Sequence, residues 1–252
     1  MNSLGGKEAG VSQHAAWVKL AHWIVTVSFF ALAFSGVIVL MAHPRLYWGE
    51  TGNNLTPALL ELPLGRNHHH PGWEQPTAFF AQEGSPVTAN RNFEIFNENG
   101  WARSLHFLAA WFLVAPGAVY LFAGLFSGHF RRHLWPRSRE FARGLLRQDL
   151  WDHLRLRIAA ATGGPHYGVL QKCTYCSVVF GALPLAVVTG LAMSPAITAS
   201  YPFLSGMFGG VQSARTIHFF ISLLLVLFVL VHAIMVVKSG FRRQMRAMTM
   251  GE

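Results

Sequence analysis

Four apolar stretches, each about as long as a lipid bilayer is thick, constrain this chain more than any other feature of its sequence. A helix needs roughly 20 mostly apolar residues to cross a hydrocarbon core about 30 Å deep. The stretches run from about Leu20 to Ala42, Ser104 to Phe126, Cys173 to Met193 and Thr216 to Val237. Pro116 and Pro184 fall inside the second and third. Proline is tolerated in membrane helices when neighbours satisfy the freed carbonyl, so both are expected to mark kinks. The expected fold is an all-α membrane protein, a four-transmembrane-helix bundle, with residues 1–252 forming a single integral membrane domain.

Composition agrees. Charged residues make up 12% and hydrophobic ones 52%, whereas a soluble globular protein carries about 25% charged residues. Twenty Phe and eight Trp exclude a disordered chain, which is poor in aromatics and rich in charge. Two cysteines exclude a disulfide scaffold. Lys7 and Lys19 precede the first stretch, and Ala31-Leu32-Ala33 has the look of a cleavage site. The apolar run nevertheless continues through Met41, longer than a signal sequence needs, so a retained span is expected.

Orientation follows from the basic residues. The N-terminal tail, the loop 127–172 and the C-terminal tail together hold 15 of the 20 Lys and Arg. The positive-inside rule then places both termini and the Arg-rich loop of this multi-pass chain in the cytoplasm. The net charge of +9 thus reflects topology and contact with anionic lipid headgroups, and no folded nucleic-acid module is visible. The first loop, 43–102, lies on the far side of the bilayer on this reading, is rich in Gly and Pro, and is acidic near Glu94 and Glu98. Its length far exceeds an ordinary connection, and such loops tend to be functional.

Histidine carries the chemistry. His22, His106, His218 and His232 lie within or at the ends of the spans, and ionisable residues at membrane depth are functional-site hypotheses by default. His218 and His232 are 14 residues apart. On a helix this is about 21 Å of rise and about 40° short of four full turns, so both project from one face. By depth, His22 pairs with His232 and His106 with His218. Two bis-histidine pairs in a four-helix bundle suit two flat cofactors with axial ligands, two b-type haems.

An internal echo supports this reading. Ala102-Arg103-Ser104-Leu105-His106-Phe107 is matched by Ala214-Arg215-Thr216-Ile217-His218-Phe219. Each Arg stands one turn before its His, where a guanidinium is the best bidentate partner for a haem propionate. Lys19, three residues before His22, is placed to do the same on the inner side. The third span has no His, so packing is its expected role. Two alternatives compete: histidines satisfying polar networks between helices, and a divalent-metal site, which the lack of an accompanying carboxylate disfavours.

Other motifs count for less. Cys173-Thr174-Tyr175-Cys176 is followed by Ser177, where covalent haem attachment needs His. No further zinc ligands lie nearby, which leaves a redox dithiol or two chance thiols. His68-His69-His70 sits in a polar loop that is expected to be solvated.

The four spans, the histidines on the first, second and fourth, and their 14-residue spacing resemble the cytochrome b subunits of nickel–iron hydrogenases, thiosulfate reductases and formate dehydrogenases. Trp101–Phe107, Gly128–Arg132, Gln212–Phe219 and the Met245-Arg246-Ala247-Met248 tail are most similar to the thiosulfate-reductase-type members. Those often accompany a periplasmic molybdopterin oxidoreductase of the sulfite-oxidase type. The resemblance covers 12–248 apart from the loop 43–99. It implies a di-haem subunit of a respiratory chain that anchors its catalytic partner and relays electrons between that partner and membrane quinone. It also implies a quinone pocket at the head of the third span, where the family often reads Tyr-Asn-x-x-Gln-Lys. Here the stretch is Tyr167-Gly168-Val169-Leu170-Gln171-Lys172, which retains Gln171 and departs from the pattern at Gly168.

No nucleophile, acid–base pair, phosphate loop or dinucleotide fingerprint is present. The chain's own chemistry is therefore expected to be limited to quinone–quinol redox. Alternatives are a hydrogenase partner, a stand-alone oxidoreductase exchanging electrons between quinone and a small oxidant such as superoxide, and a haem-free transporter or scaffold.

Overall fold

The computed structural model describes residues 16–42, 44–52, 57–62, 64, 99–128 and 169–249, with single positions at 130, 135, 147, 150 and 151. The His68–His70 run, most of the Arg-rich loop and the second half of the first loop lie outside the described residues.

Four long helices account for the apolar stretches: α1 (Ala16–Ala42), α2 (Asn99–Phe126), α3 (Val169–Ala192) and α6 (Val211–Lys238). Each is long and apolar enough to span a membrane. Every one begins four or five residues before its apolar stretch. The apolar run marks only the part embedded in hydrocarbon, whereas helical hydrogen bonding continues into the wetter interface. Lys19, Arg103, Gln171 and Arg215 consequently lie on helices rather than in flanking loops.

The large apolar side chains point away from the protein: Phe30, Trp111, Phe122 and Leu227 are all exposed. The buried positions on the helices are mostly small, among them Ser35, Ala102, Thr189 and Ala214. This inversion of a soluble core is expected in lipid, where small residues let helix backbones approach and no hydrophobic effect rewards burying large ones.

The two prolines behave differently. The α2 helix continues through Pro116. In α3 a π-helical turn over Val178–Ala182 stands directly before Pro184, with Leu183 N–H donating to the Val178 carbonyl. Proline leaves a carbonyl without its donor, and one turn of wider helix absorbs the disruption.

Part of the long first loop is folded. Strands β1 (Arg45–Leu46) and β2 (Leu60–Glu61) pair antiparallel, with Arg45 opposite Glu61 and their side chains bridged at 2.7 Å. Two short helices, α4 (Pro195–Ser200) and α5 (Phe203–Gly206), lead into α6. The first turn of α6 takes its cap from the loop. The Gly49 carbonyl accepts from the Gln212 and Ser213 N–H groups at 3.1 and 3.2 Å, and Gly49 N–H donates to Ser213 Oγ at 2.7 Å. Orphan donors at a helix start are thereby satisfied by a distant segment. Gly49 has φ of 107° and Gly210 has φ of 121°, and a Cβ on Gly210 would run into the Gly49 backbone.

After Lys238 the chain turns at Gly240, φ 106°, into a last amphipathic helix, α7 (Phe241–Thr249). By internal contacts the chain forms two compact units. One comprises Thr26–Ala115 and Pro184–Leu223; the other comprises the described residues of Met1–Val25, Pro116–Leu183 and Leu224–Glu252.

Candidate functional site

Of the four span histidines, the structure brings together His106 of α2 and His218 of α6, edge-on, with ring centroids 6.3 Å apart and planes at 61°. Both belong to the unit built from Thr26–Ala115 and Pro184–Leu223. Each ring is held by a hydroxyl on a neighbouring helix. Ser35 Oγ of α1 lies 3.0 Å from His106 Nδ1, and Thr189 Oγ1 of α3 lies 3.0 Å from His218 Nδ1.

Ser35 Oγ donates back to the Ala31 carbonyl at 2.6 Å, and Thr189 Oγ1 donates back to the Leu185 carbonyl at 2.7 Å. A hydroxyl has one proton, so each oxygen meets the imidazole as an acceptor. Nδ1 must then carry the proton in both rings, which leaves Nε2 with a free lone pair. That is the tautomer of a metal-ligating histidine with its second nitrogen hydrogen-bonded.

The separation fits the same role. With an imidazole–metal bond of about 2.0 Å and a centroid about 1.1 Å behind the nitrogen, two ligands on opposite sides of one ion stand about 6 Å apart. Two imidazoles do not complete a coordination shell, and among the described residues no three His, Cys, Asp or Glu side chains come together. A planar macrocycle that supplies the remaining ligands itself suits such a pair.

Glycines open space next to both rings. A Cβ on Gly36 would lie 3.6 Å from His106 Cε1, and one on Gly190 would lie 3.5 Å from His218 Cε1. Each glycine directly follows its hydroxyl residue. Sequence reasoning missed Ser35-Gly36 and Thr189-Gly190, and gave the third span a packing role only. A signal was present: a hydroxyl followed by glycine occurs in the second half of spans one and three, just as the Arg-x-x-His echo occurs in spans two and four.

Arg103 and Arg215 echo each other in sequence but not in surroundings. Arg103 is exposed, whereas Arg215 is half-buried. Thr216, beside Arg215, donates to the Tyr47 carbonyl at 2.6 Å, so the folded loop lies against this turn of α6.

His22 and His232 fall in the second unit, with Lys19 and Gln171. The His22 ring meets Trp23 edge-on at 5.5 Å, and Trp23 Nε1 donates to the Met248 carbonyl of α7 at 3.1 Å. The His232 ring stacks on Phe228 at 6.1 Å, and Phe228 meets Tyr175 at 6.2 Å. Gln171 Nε2 donates to Tyr175 Oη at 3.1 Å. A continuous line of contacts therefore joins Gln171 to His232. Cys173 and Cys176, both half-buried and not joined in a disulfide, stand one turn apart on the same helix.

Four membrane-spanning helices with paired imidazoles define a class, the multi-pass membrane cytochromes of b type. Residues 13–251 match the family model of prokaryotic cytochrome b561, and the chain belongs to that family, whose members bind haem b. It is 27% identical over 223 residues to a protein of Azospira oryzae provisionally named as a protein-methionine-sulfoxide reductase subunit, YedZ1. The alignment covers 88% of this chain and 89% of that one. No solved structure matches the chain.

Proposed function

We propose that this protein is a di-haem cytochrome b that anchors a periplasmic molybdopterin oxidoreductase to the bacterial inner membrane and passes it electrons from membrane quinol. His106 and His218 hold one haem b, and His22 and His232 hold the second. Both termini lie on the cytoplasmic side. The reading rests on the His106–His218 pair, with both Nδ1 atoms engaged and the centroids 6.3 Å apart.

When bound, haem b supplies reversible one-electron exchange at its iron. The chain's own residues fix the imidazoles, keep the Nε2 lone pairs available and line the surroundings with apolar groups. Gln171 is suited to the quinone end, because its amide can donate to a quinone carbonyl or accept from a quinol hydroxyl. Its link to His232 through Tyr175 and Phe228 supports that location.

The relative's name favours a sulfoxide-reducing partner over a hydrogenase, and with it the direction of flow. A quinol releases two electrons and two protons as it becomes quinone. A methionine sulfoxide takes up two of each to give the thioether and water.

Haem content per protein tests the assignment. His106→Ala and His218→Ala should each remove the same single haem, and His22→Ala and His232→Ala should each remove the other. Unchanged content in any of the four variants breaks the assignment.

A further inference from the structure

We infer that Ser35 and Thr189 are positioning residues that lower the redox potential of the haem held by His106 and His218. The inference rests on that pair being haem ligands and goes beyond it, since it gives α1 and α3 a part in setting the potential.

Two independent copies of one arrangement carry it. Ser35 and Thr189 are fully buried, both at 0% exposure. Each sits 3.0 Å from the Nδ1 of a histidine on a different helix. Each also has a second contact to its own helix, from Ser35 Oγ to the Leu32 carbonyl at 3.2 Å and from Thr189 Oγ1 to the Ala186 carbonyl at 3.1 Å. The hydroxyl proton is thus committed to a carbonyl on one side, and the oxygen lone pair is held toward the imidazole on the other. A hydroxyl free to rotate could donate to Nδ1 and select the opposite tautomer; these two cannot do so without giving up a buried bond.

The electronic consequence has a definite sign. An imidazole whose Nδ1–H is accepted by a fixed oxygen is a more basic ligand at Nε2. A more basic ligand stabilises ferric iron over ferrous, so the potential falls. Polarisation of the hydroxyl by its own donation to a carbonyl strengthens the effect in a low-dielectric interior. Removing the hydroxyl raises the potential and frees the ring to turn about its Cβ–Cγ bond.

The test is a potentiometric titration of the purified full-length protein, with the optical and low-spin electron paramagnetic resonance spectra recorded alongside. Thr189→Val and Ser35→Ala should retain two b-type haems, raise the midpoint of one haem only and alter its low-spin signal. Thr189→Ser, which restores the acceptor, should return both readings to near the wild-type values. Thr189→Ala serves if valine prevents folding, since it cannot overpack. Wild-type midpoints in Ser35→Ala and in the Thr189 variant that folds, with haem lost from His106→Ala, overturn the hydroxyl role alone. So does a downward shift. Full haem content in His106→Ala overturns the reading beneath it instead.

Discussion

Thr216 donates its hydroxyl to the Tyr47 carbonyl across 2.6 Å, and both residues are buried. One is two residues from His218 on α6; the other belongs to a loop more than 160 positions earlier in the chain. Valine at 216 keeps the shape and removes the donor. Breaking a buried hydrogen bond in this way costs about 1–3 kcal/mol, so Thr216→Val should melt several degrees below wild type in detergent. Gly210→Ala should do at least as much harm, because its φ of 121° and its contact with Gly49 leave no room for a Cβ. A melting temperature unchanged in both variants would show that the folded loop adds nothing to the helix it caps.

The glycines beside the imidazoles make a size-dependent prediction. A Cβ at either place meets the ring at an ordinary van der Waals distance, 3.5 or 3.6 Å. Gly36→Ala and Gly190→Ala should therefore incorporate haem, whereas Gly36→Leu and Gly190→Leu should lose the haem of the His106–His218 pair. A pyridine haemochrome assay gives the haem content directly. Full loading of both leucine variants would mean the macrocycle lies elsewhere.

Arg103 and Arg215 should not be equivalent. A guanidinium near the haem disfavours the extra positive charge of ferric iron, so its removal favours the ferric form and lowers the midpoint. Solvent screens an exposed charge far more than a half-buried one. Arg215→Leu is accordingly expected to shift the potential of the His106–His218 haem downward, and Arg103→Leu to shift it less. Equal shifts contradict the burial argument alone, whereas no shift, or shifts confined to the other haem, contradict the propionate-partner role.

The proposed quinone site is best probed at Gln171. Gln171→Leu should leave both haem spectra intact while slowing reduction by a soluble quinol analogue roughly five- to tenfold, the value of about one neutral hydrogen bond. Tyr175→Phe removes the hydroxyl that receives the Gln171 amide and should slow it less. Stopped-flow reduction is the measurement. Wild-type rates in the Gln171 variant would move the quinone site to the other haem.

The sequence alone determined the long helices and the cofactor class. Runs of about 20 apolar residues leave no alternative to membrane helices, because unpaired backbone groups are intolerable in lipid. Histidine is costly at that depth, so His106 and His218, which the structure brings together, stand out in the sequence as candidates. Only the tertiary structure showed that Ser35 and Thr189 hold the rings of His106 and His218, that Arg103 and Arg215 differ in burial, and that residues 44–52 fold onto the first turn of α6. Those facts depend on how each helix is rotated about its axis. A helix apolar on all sides carries almost no record of that rotation in its sequence, since every face is equally acceptable to lipid. Rotation is instead set by small residues that admit a neighbouring backbone and by single hydroxyls that find a partner across the gap. Their partners stand 71 and 29 positions away along the chain, and packing alone brings them together.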